Sequence, residues 1–330
     1  MCKYFLTALF IISIFSCDSM NTKKEDGAVL PKSSGKYGEV LVVVDSTYKN
    51  SILAVDKIFN KEVEALPQRE AMFRMSKVDS KNFKSILKRG RNIVLINIFN
   101  NSPNGIKKRE NVWAKNQLVV EINAKSDEEA AELLKENTLI LQDYFNEIEI
   151  QRLQNQFAIK SDKKLISIIK ERFNLELTLP PAFVLMDSSG HGLWIKKEKE
   201  IGQHGIVQAL LFYELDFISD SAFRLNQMIQ SRNEFCESHV QGSNEGSYMN
   251  VYEEYTPIEK EINLNGLYAV SYKGLWNMKN DFMGGPFVHY VFVDEKRQKV
   301  IHAEGFVYAP KFDKREYLRE LEAILKTIKI

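Results

Sequence analysis

The five histidines, His191, His204, His239, His289 and His302, are the side chains best suited to proton transfer or metal binding near neutral pH. None stands in H-E-x-x-H or another metal-ligand spacing. The most informative pair depends on a hairpin. If Asp294 and Arg297 bracket a two-residue turn, His289 lies opposite His302; a four-residue loop instead sets His289 opposite Glu304. Either register builds a pH-sensitive or metal-binding patch. Ser188-Ser189-Gly190-His191-Gly192 joins hydroxyls to an imidazole, but nothing in the sequence places an acid beside it, and a plain hairpin loop has the same composition. Gly242-Ser243 and Gly246-Ser247 stand in a second such loop. The G-x-S-x-G elbow, the S-x-x-K set, the P-loop and the dinucleotide fingerprint do not occur, so no catalytic residue, cofactor or metal is assigned. Cys236 recurs with Leu225, Met228, Ile229 and Phe235 in an apolar pattern, which makes it a buried small hydrophobe rather than a nucleophile.

One cysteine has a different setting. Lys3 gives a positive start, Tyr4–Phe15 is an apolar run too short to span a bilayer, and Ser16 precedes Cys17. Ile14-Phe15-Ser16-Cys17 resembles the lipobox of bacterial lipoproteins, in which the cysteine is lipidated and becomes the first residue after cleavage. Two or more acyl chains give the stable anchoring that one chain does not.

A further segment invites a binding role. Gly274-Leu275-Trp276 ends one strand and Phe282-Met283-Gly284-Gly285-Pro286-Phe287 opens the next. The glycines permit positive φ or close backbone approach, and Pro286 fixes the exit. These residues either fold a tight corner over the core or present Trp276, Met283 and Phe287, with Gly284, Gly285 and Pro286, as a partner surface.

The elements that position these residues follow from patterning. With 330 residues, the chain has room for one or two packed domains. Its 45 basic and 44 acidic residues leave a net charge of +1, so no nucleic-acid partner is expected. Residues 1–17 read as a lipoprotein signal and 18–37 as a flexible tether. Residues 38–158 read as an α/β domain. It has a buried strand at Val40–Val44, a helix carrying Ile52, Val55, Phe59, Val63 and Leu66, and strands at Ile93–Phe99 and Leu118–Ile122. A long helix follows, opened by a Ser126/Glu129 capping box and continuing to Ile148. Residues 159–330 read as an α+β sandwich: antiparallel strands flanked by a helix around Met228 and a last helix opening at Asp313. The fold class is thus α+β with α/β character in two layers, and the order of the second half is similar to PsbP-type folds.

Gly38-Glu39-Val40-Leu41-Val42-Val43, Leu66-Pro67-Gln68, Arg91-Asn92-Ile93, Gly274-Leu275-Trp276, Met283-Gly284-Gly285-Pro286-Phe287, Gly305-Phe306-Val307-Tyr308-Ala309-Pro310 and Tyr317-Leu318-Arg319-Glu320-Leu321-Glu322 together resemble a family of Bacteroidota envelope lipoproteins known as a domain of unknown function. That resemblance spans everything after the tether and implies a compartment and an architecture, without catalytic residues. The expectation is a lipid-anchored, non-catalytic envelope module on the periplasmic face of the outer membrane or at the cell surface. It would bind an envelope protein or an apolar ligand. A hydrolase using the Ser188–His191 or Gly242–Ser247 loop, and a carrier of an apolar ligand, are the alternatives.

Overall fold

In the computed structural model, residues 29–100 and 104–330 are described. Cys17, the signal segment and the first part of the expected tether lie outside them. The tether ends early: Lys115 N–H donates to Pro31 O at 2.7 Å, and Ser34 N–H to Arg89 O at 2.8 Å, so the chain is docked from Pro31 onward.

The apolar run predicted as a covered strand is β1 (Glu39–Val43). It is followed by α1 (Lys49–Phe59), β2 (Arg74–Val78), β3 (Asn92–Ile98), β4 (Gly105–Glu110) and β5 (Leu118–Ala124). The sheet order is β2-β1-β3-β5-β4, with β4 the one antiparallel member. Val40, Val42, Val94 and Val120 face α1 and two later helices, while Val43, Ile93 and Val119 fill the other face. A strand covered on both sides needs such an unbroken apolar run. α1 stops at Phe59, short of Val63 and Leu66.

The single long helix expected after Ser126 is two: α2 (Asp127–Glu136) and α3 (Thr138–Ile159). Asn137 separates them, its side-chain amide donating to Leu133 O at 2.8 Å, while the Thr138 hydroxyl donates to Lys135 O at 2.9 Å. Asn and Thr side chains compete for backbone groups in this way and end helices that apolar spacing would continue.

After α4 (Lys163–Phe173) come β6 (Val184–Asp187), β7 (Gly192–Ile201), β8 (His204–Asp216), α5 (Leu225–His239), β9 (Tyr248–Val251), β10 (Ile258–Leu264), β11 (Leu267–Lys279), β12 (Gly284–Asp294), β13 (Lys299–Tyr308) and α6 (Arg315–Leu325). They build an eight-stranded antiparallel sheet of order β10-β11-β12-β13-β8-β7-β6, with β9 on β11. The fold is α+β, with helices on both faces of this sheet. Asn265 and Gly266 join β10 to β11 with φ of 53° and 96°, the left-handed pair that a two-residue hairpin needs.

Both sheets belong to one compact unit, Pro31–Ile330. The last helix does not use Asp313 as its cap. Glu70, from the first half, accepts from Lys314 N–H at 2.7 Å and Arg315 N–H at 2.9 Å, so the carboxylate satisfies orphan donors and meets the positive end of the helix. Among the described residues no helix is long and apolar enough to cross a membrane.

Candidate functional site

Alternation along the strands of the large sheet gives it two unlike faces. Under α6, Val288, Tyr290, Ile301, Ala303 and Val307 join Leu321 and Ile324 in an apolar core. Under α5 the same strands turn His289, His302 and Glu304 inward, all at most 2% exposed. The loop between β12 and β13 has four residues, because Asp294 pairs with Lys299; His289 therefore stands opposite Glu304, and His302 sits opposite Val291. That is the second of the two registers left open by the sequence.

From α5, Arg232 grips Glu304 through two bonds, Nε to Oε2 at 2.7 Å and Nη2 to Oε1 at 2.8 Å, and lies 4.5 Å over the Phe287 ring. His289 Nδ1 is 2.7 Å from Glu304 Oε2, and His289 Nε2 is 2.9 Å from His302 Nδ1. Burial opposes ionisation of Glu304, but the Arg232 guanidinium and His289 outweigh it and hold the carboxyl below its ordinary range. Burial pushes His289 down, partly offset by Glu304, and pushes His302 well down, with His289 adding to the effect. Both imidazoles are therefore neutral at pH 7. The His302 ring stacks on Tyr213 at 4.4 Å, and Tyr213 stacks on Phe235 at 4.4 Å, so α5 is keyed to the sheet by aromatic packing as well as charge. Cys236 is buried and its thiol is pushed up to about 12 by burial, which leaves it unionised and unreactive.

Beyond Glu304 the same face opens into a groove of about 170 Å³. Trp194, Trp276, Met278, Met283, Phe306 and Tyr308 contribute to its lining. Of the residues predicted for a partner surface, Met283 is half-buried and on this groove. Trp276, 2% exposed, forms part of its wall. Phe287, Gly285 and Pro286 are buried in the sheet, and Gly284 is half-buried. Phe287 thus cannot be a presented anchor: strand alternation turns it under Arg232. The glycines act through close approach, since a Cβ on Gly285 would lie 2.0 Å from Val307 O and one on Gly284 2.9 Å from Trp276 O. The apolar tip of this corner that does face solvent is Phe282.

Two tryptophans that line the groove each have a polar atom without a partner. The indole N–H groups of Trp194 and Trp276 are buried with no acceptor among the described residues. An unmet buried donor costs about 1–3 kcal/mol.

The loop expected to hold a hydroxyl and an imidazole does find an acid. Asp187 Oδ2 is 2.6 Å from His239 Nδ1 and accepts from Ser189 Oγ at 3.0 Å, and the His239 hydrogen bond holds its carboxyl at about 2. The imidazole is His239 of α5, while His191 is exposed. Ser189 Oγ approaches His239 Nδ1 too, at 3.4 Å. A hydroxyl-activating relay needs the acid on one ring nitrogen and the hydroxyl on the other, so this trio pins the loop to α5 rather than activating Ser189. In the second loop, Ser247 Oγ donates to Asn244 O at 2.6 Å, and no imidazole lines the hollow there. Among the described residues no three of His, Cys, Asp and Glu are grouped to hold a metal ion.

Sequence reasoning missed Arg232 and Trp194. Arg232 lies on the apolar stripe of its helix, four residues after Met228 and before Cys236, and a charge in that position is the signal of a buried partner.

Residues 162–327 match the family model of a domain of unknown function, DUF4837, and residues 33–158 match a second domain of unknown function, DUF8532. No curated protein matches the chain. Among solved structures, LpqN, involved in cell envelope biogenesis of Mycobacterium tuberculosis, is 13% identical over 47% of this chain and 83% of its own, with a TM-score of 0.29. The Saccharomyces cerevisiae Ran-binding protein Mog1p is 9% identical over 47% and 89%, with a TM-score of 0.30. Likenesses of this size carry nothing about ligand or role.

Proposed function

We propose that this chain, which belongs to the DUF4837 family, is a lipid-anchored bacterial envelope protein that uses the groove beside Trp276 to hold a segment of a partner polypeptide. The anchor reading rests on the lipobox-like Ile14-Phe15-Ser16-Cys17, and places the folded body on the periplasmic face of the outer membrane or at the cell surface. The observation that carries the binding reading is the pairing of an apolar groove with two acceptor-seeking indoles. An acyl chain would fill the apolar space but offers no acceptors along its length. A peptide supplies both an apolar side chain and backbone carbonyl oxygens, so a polypeptide suits the groove better than a carried lipid. The groove is also small for a lipid carrier, below the range of about 300–1,000 Å³ usual for enclosed ligand sites. The hydrolase alternative loses support from the Ser189–Asp187–His239 geometry.

Crosslinking in intact cells followed by mass spectrometry tests this, run in parallel on the native chain and on Met278→Glu. One envelope protein recovered reproducibly with the native chain and at least tenfold less with the variant is the expected result; equal recovery from both overturns the groove reading. Separately, Cys17→Ala should release the protein from membranes into the soluble periplasmic fraction, and retention on the membrane would contradict the anchor.

A further inference from the structure

At the other end of α5 the imidazole relay ends on a second cavity, of about 290 Å³, into which His302 is built as part of the wall. The relay leaves little freedom in proton placement. Ionised Glu304 has only acceptor atoms, so His289 Nδ1 carries the hydrogen, His289 Nε2 must accept, and His302 Nδ1 is the donor to it. A neutral His302 then holds a lone pair on Nε2. No donor to that atom is found among the described residues, although the side chain is only 2% exposed. The atom is not among the fully buried unpartnered ones, so its lone pair is accessible from the cavity that His302 lines.

The rest of the lining defines what fits. Ser219, Ser221, Gln227 and Ser231 bring uncharged polar groups; the Ser231 hydroxyl already donates to Gln227 O at 2.9 Å and the Ser219 and Ser221 hydroxyls bond each other at 2.7 Å, which leaves their remaining lone pairs and the Gln227 amide for a ligand. The one charged residue there, Asp216, is engaged through Oδ1 by Lys299 at 2.7 Å, so the wall offers no free cation for a phosphate. Val300 gives an apolar floor, and Leu215 and Ile218, 44% and 90% exposed, an apolar rim. We infer that this cavity is a binding site for a small uncharged molecule bearing several hydroxyl groups, of the size and kind of a monosaccharide, one hydroxyl of which donates to His302 Nε2. The backing by Glu304 and Arg232 serves to keep that acceptor in one tautomer and one orientation, as second-layer carboxylates do for imidazoles elsewhere. The site is independent of the Trp276 groove, and either can fail without the other.

The test follows the His302 Nε2 resonance in the full chain labelled with ¹⁵N-histidine, during titration with glycerol, glucose and N-acetylglucosamine, and with glucose 6-phosphate as the charged probe. A triple variant, His191→Gln, His204→Gln and His239→Gln, leaves only the two buried ring systems for assignment. At least one uncharged probe should move Nε2 upfield saturably, as a lone pair does on accepting a hydrogen bond, and the phosphate should not. The displacement should vanish in Ser231→Phe, which fills the cavity from α5, or in Ser219→Phe from the rim if the first variant does not fold. Nε2 unmoved by every uncharged probe, moved equally by the phosphate, or still moved in the folded blocking variant overturns the inference.

Discussion

On one face of the eight-stranded sheet, Ile301, Ala303 and Val307 of β13 pack under Leu321 and Ile324 of α6. On the other, His302, Glu304 and Phe306 of the same strand lie under α5, with Arg232 and Phe235 above them. Neighbouring residues of one strand thus divide between an apolar seam and a charged one. The α6 face is held mainly by apolar burial, with Lys273–Glu322 and Lys197–Glu320 ion pairs at its margins. Under α5, ionic and aromatic contacts fix orientation, while the groove and the His302 cavity remain open at either end. Both proposed binding sites lie on the α5 face.

Substitutions on the two faces should behave differently. The largest effect is expected from Arg232→Met, which leaves Glu304 buried without its cation and should cost about 3–5 kcal/mol by denaturant titration. Replacing both partners, Arg232→Met with Glu304→Leu, should recover much of this loss, because the uncompensated charge is gone. On the α6 face, Leu321→Ala should cost about 2–5 kcal/mol through the cavity it leaves, with no second-site change of charge able to restore it.

Acid should separate the faces next. His289 and His302 have folded-state pKa values lowered from about 6.5. Below that pH the unfolded chain binds protons that the folded chain does not, so stability is complete above about pH 6.5 and falls as pH falls toward the lowered values. Each imidazole held neutral adds a slope of about 1.4 kcal/mol per pH unit in that window. Stability measured from pH 7 to pH 5 should fall with that sign, and His302→Gln should flatten the curve by one imidazole; an unchanged slope in this variant would show that His302 titrates normally. The smallest change in stability belongs to Met283→Ser, within about 0.5 kcal/mol because the side chain is half-exposed. Its effect should be seen in partner recovery instead.

Where local patterning and tertiary packing agreed, the architecture was legible from residues: the Val40–Val44 run and the alternating strands around β12 and β13 need nothing beyond periodicity. β2 and β10 escaped notice because their residues are mostly polar or exposed, so they lack an apolar alternation. The cap of α6 was unreadable for a different reason: Glu70 is supplied from more than two hundred residues away, and Asp313 satisfied the local rule without being used. The histidine pair was legible up to its register, which the loop length decided. Its burial was not, since burial depended on α5 crossing that face with an arginine. The Trp276–Phe287 corner was found as a feature, but Trp276 and Phe287 share a face of the sheet, and only the position of α5, whose Arg232 covers Phe287, separates it from Met283 and Trp276 at the groove.

The claim that the groove holds a polypeptide is tested most directly by a photo-reactive residue placed at 283 in the full, anchored chain, with a second at exposed Leu139 on α3 as the reference position. After irradiation in living cells, the mass added at 283 should correspond to peptide from a single envelope protein and be absent at 139. Acyl-chain mass at 283, or the same adducts at both positions, would contradict the account.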